Sequence, residues 1–135
     1  MTGTPASDDD AGRLPTAAEL RVLEVLWRLG PSTVRAVHEE LSRKKPIQYT
    51  TALKLLQTMY SKGFVDKSAD ARAHVYVAAM NGTLTRQSML RDFVDRVFGG
   101  SPQALVVGLL SQGTISEAEL TELKELILAS SSEVD

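Results

Sequence analysis

Residues 47–77 read IQYTTALKLLQTMYSKGFVDKSADARAHVYV, and this stretch decides the fold. Ala52, Leu55, Leu56 and Met59 recur at i, i+3, i+4 and i+7, the spacing of one buried helical stripe. Thr50, Thr51, Lys54, Gln57, Thr58 and Ser61 fall on the opposite side. That face carries hydroxyls, an amide and one cation, with no carboxylate. Gly63 ends the helix, as glycine does where the chain must turn left-handed. Val65-Asp66-Lys67-Ser68 and Ala73-His74-Val75-Tyr76-Val77 then flank Ala69-Asp70-Ala71-Arg72, a hairpin pattern with a basic tip. A helix with a polar outer face followed by such a hairpin predicts a winged helix, the form in which this fold meets duplex DNA.

Upstream, Thr16 and Glu19 have the spacing of a capping box, so a first helix is expected from Thr16. Leu20, Leu23, Leu26 and Trp27 line its inner face, Arg21, Glu24 and Arg28 face water, and Gly30-Pro31 ends it. Ser32 or Thr33 caps a second helix whose stripe is Val34, Val37 and Leu41, and Arg43-Lys44-Lys45-Pro46 closes it. Residues 14–80 therefore read as one compact winged-helix domain. Residues 1–13, rich in Thr, Gly, Ser, Asp and Ala, read as a disordered tail.

Asn81-Gly82-Thr83 marks the expected boundary to a helical domain over 81–135. A fourth helix, about Leu84 to Phe98, is expected to bury Leu90, Phe93, Val94, Val97 and Phe98. Arg91–Asp95 and Asp92–Arg96 are i, i+4 pairs on its outer side. Ser101-Pro102 opens a fifth helix whose run Ala104–Leu110, including Leu105, Val106, Leu109 and Leu110, is apolar nearly all round and should be covered on most sides. Ser116 and Glu119 form a second capping box, for a sixth helix burying Leu120, Leu123, Leu126 and Ile127, with a frayed tail after Ser130. About 50 residues of short helices make a marginal core, so the excess of apolar side chains points to a second copy of the chain. The fold class is thus mainly α with a small β-hairpin wing: an N-terminal winged helix-turn-helix and a C-terminal three-helix dimerisation lobe.

Composition permits this reading. The chain has 135 residues, 43% hydrophobic and 24% charged, so a packed core is attainable. It has no cysteine, which excludes disulfides, thiolate metal sites and thiol nucleophiles and fits a reducing cytoplasm. The first ten residues lack the basic and apolar runs of a signal peptide, and no apolar run is long enough to span a bilayer. The net charge is −2, but it is unevenly divided: −2 over residues 1–13, +4 over 14–80 and −4 over 81–135. A basic front half can face phosphates while an acidic back half stays away from them.

In chemical terms the third helix is the expected reading element. Lys54 can donate to guanine, Gln57 can pair with adenine, and the methyls of Thr50, Thr51 and Thr58 can touch thymine. Gln48 and Tyr49 at the helix start can meet phosphates, and Leu53 and Tyr60 stand at the edge of the stripe. Lys67, Arg72 and His74 sit on the wing, where an arginine can enter the minor groove or bind phosphate. His38 and His74 have no paired ligands near them in sequence, so no metal site is expected. No nucleophile elbow, P-loop, H-E-x-x-H or paired-carboxylate motif is present, which leaves no catalytic residues, no cofactor and no enzyme reading. A winged helix that docks protein instead of DNA is the alternative.

Further stretches carry a family likeness. Leu14-Pro15-Thr16-Ala17-Ala18-Glu19-Leu20 with Val25-Leu26-Trp27, Thr33-Val34-Arg35-Ala36-Val37-His38-Glu39-Glu40-Leu41, Tyr49-Thr50-Thr51-Ala52-Leu53-Lys54-Leu55-Leu56-Gln57, Lys62-Gly63-Phe64-Val65 and Arg72-Ala73-His74-Val75-Tyr76 resemble the penicillinase-repressor (BlaI/MecI) family. Phe98-Gly99-Gly100-Ser101-Pro102, Ala104-Leu105-Val106 and the closing Ser-x-x-Glu-Leu-x-x-Leu helix extend the resemblance over roughly residues 14–128. It implies a cytoplasmic homodimeric repressor with a winged-helix reading head, bound to a two-fold-symmetric operator. It also implies relief by proteolysis through a membrane-bound sensor metalloprotease pathway that detects β-lactams. The family's copper-responsive branch carries clustered cysteines, which this chain lacks. Thr58 stands where the family often has Arg or Lys, and Gly108-Leu109 stands at the Asn-Phe pair cut in some members.

Overall fold

A computed structural model describes residues 14–70 and 73–134 of the chain. The elements are α1 (Ala17–Leu29), β1 (Ser32–Thr33), α2 (Val34–Leu41), α3 (Tyr49–Lys62), β2 (Val65–Asp70), β3 (Ala73–Ala78), α4 (Gly82–Val97), α5 (Pro102–Ser111) and α6 (Glu117–Val134). They form two compact units that divide at Leu90 and Arg91, within α4.

In the first unit α1 opens on the reciprocal cap: Glu19 N donates to Thr16 Oγ1 and Thr16 N donates to Glu19 Oε1. Val22, Leu23, Val25 and Leu26 are buried, while Leu20 and Trp27 are only partly covered. Gly30 ends the helix, with its N–H bonded to the Leu26 carbonyl. Thr33, not Ser32, caps α2 by accepting from Ala36 N. Val34 and Val37 of α2 and Ala52, Leu56 and Met59 of α3 complete the helical side of the core, with Leu41 and Leu55 partly buried at its edge.

The sheet differs from the expected two-stranded wing. Ser32 and Thr33 pair antiparallel with Tyr76 and Val75, so β3 is central in the order β1-β3-β2. Two residues between Gly30-Pro31 and a helix cap show no alternation to read, and only the distant β3 makes them a strand. In the wing Val65 pairs with Ala78, Lys67 with Tyr76 and Ala69 with His74, up to Asp70 with Ala73. The strands therefore run closer to the tip than expected. Directly opposed residues share a face, so Val65, Lys67, Tyr76 and His74 lie on one side and Asp66, Ser68, Val75 and Val77 on the other. Arg72, at the proposed tip, and residues 1–13 lie outside the described residues.

Asn81 proves to be a helix-start residue: its side-chain oxygen accepts from Leu84 N, and α4 begins at Gly82. Trp27 Nε1 donates to the Met80 carbonyl at 2.9 Å, and Arg86 stacks over the Trp27 ring at 4.9 Å. A Cβ on Gly82 would stand 3.3 Å from that ring, so the absent side chain permits the approach.

In the second unit Ser101 caps α5 through Ala104 N, with Pro102 at its first turn, and Ser116 and Glu119 cap α6 reciprocally. Helix α6 continues to Val134, so the expected fraying after Ser130 is not observed. Of the two expected ion pairs on α4, Arg96 reaches Asp92 at 2.7 Å; Arg91 and Asp95 form none among the described residues.

The expectation that the fourth and sixth helices bury their stripes is corrected, while the exposed run on the fifth is the excess of apolar surface that was expected. Val94 is buried, but Leu90, Phe93, Val97, Val106, Leu109, Leu110, Leu123, Leu126 and Ile127 are exposed, and Leu105 and Leu120 are half-buried. Helical periodicity identifies an apolar face and is silent on what covers it. Gly108 packs at Phe98, whose ring is 3.5 Å from where a Cβ would stand.

One ion pair joins the two ends of the helical core. Glu19, 3% exposed, also receives Lys62 Nζ at 2.8 Å, tying the start of α1 to the end of α3. Glu19→Ala removes the side-chain half of the reciprocal cap and this pair, leaving Lys62 able to rehydrate. Urea unfolding should show a loss of about 1–3 kcal/mol. An unchanged midpoint would mean that the node contributes nothing.

Candidate nucleic-acid interface

Helix α3 begins after Gln48, whose side chain makes no cap. Its first turn therefore offers backbone N–H groups and the positive end of the helix dipole without a carboxylate in competition. Gln48, Tyr49, Thr50, Thr51, Lys54, Gln57 and Thr58 are all exposed. Leu53 is partly buried against the core. At the far end Ser61 Oγ donates to the Gln57 carbonyl, which leaves the Gln57 amide unengaged by that contact.

The start of α3 is held from α2. His38 Nε2 lies 2.8 Å from the Ile47 carbonyl. A carbonyl only accepts, so the ring carries its proton on that nitrogen. The same ring meets Tyr49 edge-on, with centroids 5.8 Å apart. His38 is thus a fastening between the two helices.

The wing approaches α3 from its other end. Lys67 Nζ stands 4.6 Å from the centroid of Tyr60. That contact places a cation beside the last turn of α3 and resolves Tyr60, ambiguous in sequence, as an exposed platform. His74, also exposed, shares the sheet face of Lys67. Beneath them Tyr76 is buried, and desolvation pushes its phenol above the usual range, with Tyr49 and Tyr60 adding to the rise.

The basic run Arg43-Lys44-Lys45 is more than a helix stop. All three side chains are exposed in the turn leading into α3. Glu40 accepts from Arg28 Nη2 at 2.7 Å and pairs with Arg43 at 3.3 Å. Lys44 and Lys45 have no ion pair among the described residues. Three cations before Pro46 were a visible signal; their position beside α3 was not.

Polar α3 face, adjoining wing and two supporting helices define a winged helix-turn-helix protein. The comparisons agree. The family model described as Penicillinase repressor matches residues 15–129, and the chain belongs to that family of transcriptional repressors, which are not enzymes. The "Transcriptional regulator BlaI" of Mycobacterium tuberculosis is 36% identical over 104 residues, covering 75% of each chain. The "Methicillin resistance regulatory protein MecI" of Staphylococcus aureus is 22% identical over 112 residues, 83% of this chain and 91% of that one. Among solved structures, the complex structure of hsRosR-S4 matches with a TM-score of 0.51 at 17% identity, covering 93% of this chain and 97% of that one, a likeness of fold alone. No helix among the described residues is long and apolar enough to cross a membrane.

The hydrogen bond from Arg28 holds the Glu40 carboxyl below its ordinary value; desolvation opposes this, and the charges of Arg43 and Arg28 assist. A carboxyl depressed in the folded state stabilises it above the ordinary carboxylate value and loses that contribution as pH falls through the lower folded value. Arg28→Ala should therefore raise the Glu40 pKa, read by carboxyl NMR titration. An unmoved titration would assign the depression to Arg43.

Proposed function

We propose that this chain is a repressor that reads a two-fold-symmetric DNA operator as a homodimer. The observation that carries the reading is the acid-free polar face of α3 with Lys67 of the wing set against its last turn. In this arrangement Lys54, Gln57 and the threonines at 50, 51 and 58 meet base edges in the major groove. Gln48, Tyr49 and the free N–H groups of the first turn receive phosphate, and Lys67, Arg72 and His74 follow the flanking backbone. Family membership supports this division of labour. Thr58 offers a methyl and a hydroxyl where a longer cation would grip phosphate.

Lys54→Ala should weaken operator binding by about 1–3 kcal/mol and relax specificity at one base pair. Arg72→Ala should weaken specific and unrelated duplexes alike and flatten the salt dependence. A gel shift with DNA upstream of the chain's own gene measures both. Wild-type affinity in Lys54→Ala removes that residue, and failure of the wild type to shift any duplex returns the reading to a protein-docking winged helix.

The exposed apolar side chains of α4, α5 and α6 support a dimer formed through Phe93, Val97, Val106, Leu109, Leu110, Leu123 and Ile127, with half-buried Leu105 beside them, Leu90 at the margin and Val94 covered within the chain. Linking two heads raises the local concentration of the second once the first is bound, without a new base contact. Cleavage within α5, through a membrane sensor metalloprotease pathway, would undo this while each head stayed folded. Gly108 lowers the stability of that helix by roughly 1 kcal/mol relative to alanine, which favours local opening. The intact chain should sediment as a dimer at micromolar concentration, and chain recovered from induced cells should carry a cut in residues 102–111 and sediment as monomer. Monomeric intact chain overturns the dimer; release of the operator by uncut chain overturns the cleavage.

A further inference from the structure

The chain between α2 and α3 is a closed turn. Ser42 N donates to the His38 carbonyl and Arg43 N to the Glu40 carbonyl. Ile47 is held on both sides of its backbone: its carbonyl accepts from His38 Nε2 at 2.8 Å, and its N–H reaches Ser42 Oγ at 3.5 Å. Pro46, just before it, has a fixed φ. Arg43, Lys44 and Lys45 stand exposed between these fastenings. An anion that meets them orders side chains but not backbone, which lowers the entropic cost of binding.

The cations at this turn are neutralised unequally. The turn forms one rim of a groove of about 790 Å³, with Arg28 and Glu40 on its wall and Thr51 of α3 on its edge. Glu40, whose side chain is 14% exposed, holds Arg28 at 2.7 Å and Arg43 at 3.3 Å. One carboxylate thus serves two guanidiniums. The groove's other carboxylate, Glu24, faces Arg86 at 3.9 Å. Lys44 and Lys45 have no ion pair among the described residues. Arg28, Arg43, Lys44 and Lys45 against Glu40 leave a net +3 beside the uncapped start of α3.

We propose that Arg43-Lys44-Lys45 is a second phosphate-binding site for duplex DNA, distinct from the reading face of α3 and from the wing, and that Glu40 restrains it by holding Arg28 and Arg43. The site rests on the DNA-binding reading of α3 and extends the contact to the turn before it. Lys44 and Lys45 meet backbone phosphate directly. Arg28 and Arg43 reach phosphate only by giving up Glu40, so they add less than their charge suggests. Phosphate contacts carry no base identity. Glu40 therefore limits affinity for every duplex alike and leaves base readout by α3 unchanged.

The test is the salt dependence of binding to the operator and to an unrelated duplex. In K44A/K45A the slope of log K against log salt should flatten by about 2, at about 0.9 per phosphate contact, and binding at about 0.1 M salt should weaken roughly ten- to hundredfold on both duplexes. Lys124→Ala, which removes the same charge from α6, should leave the slope unchanged; equal flattening there assigns the effect to net charge and overturns the site. An unchanged slope in K44A/K45A, in a protein whose operator binding still falls with Lys54→Ala, overturns the site and leaves the reading of α3 standing. A wild type that shifts no duplex overturns both. For the restraint, E40Q should steepen the slope by about 1 to 2 and tighten both duplexes. The same change made in R28A/R43A should do nothing. No effect of E40Q, or an effect that survives the loss of both arginines, overturns the restraint. Should E40Q fail to fold, R43A decides: it should flatten the slope less than K44A does, and equal flattening overturns the restraint.

Discussion

Gly63 turns the chain from α3 into the wing at φ 83°, a conformation that costs other residues strain. Phe64 N donates to the Met59 carbonyl and Gly63 N to the Tyr60 carbonyl, closing the end of α3 with a paired turn. The turn delivers Phe64 and Val65 into the core beside Met59. With Val65 buried, strand alternation fixes every later side chain of β2. Lys67 falls on the α3 side and Asp66 on the other, with Lys67 over Tyr60. A slip of one residue would turn Asp66, not Lys67, toward the polar face of α3.

The helix that precedes this turn is held at both ends by different physics. At its start His38 bonds the Ile47 carbonyl and packs on Tyr49. At its end Lys62 pairs with Glu19 and lies 5.6 Å from the Phe64 ring centroid. The buried carboxylate is tolerated because it serves a backbone N–H and an ammonium together, so little of its charge is left unsolvated. Fastening at both ends would suit the base-reading role proposed for α3, because such readout depends on side chains arriving in fixed register.

The two units use apolar surface differently. In the first, Val22, Leu23, Val37, Leu56, Met59 and Tyr76 enclose one another almost completely. In the second, Val94 is buried and most large apolar side chains of α4, α5 and α6 are open to solvent. At about 25 cal/mol per Å² such exposure is a standing driving force for association. The sequence thus carries its excess of positive charge in residues 14–80 and its uncovered apolar side chains mainly in the second unit.

Local chemistry made much of this legible. The caps at Thr16, Ser101 and Ser116 and the left-handed stop at Gly63 each depend on a few neighbouring residues, and each formed as read. The order of those pieces also sufficed to place the chain in its family. What needed the tertiary structure were pairings between distant residues: Ser32–Thr33 becoming a strand against β3, Glu19 finding Lys62, and Lys67 lying over Tyr60. Burial on α4 and α6 was misread for a related reason. Periodicity shows that a helix has an apolar face, but whether its own chain can cover that face is decided by the sizes and packing of all the elements together.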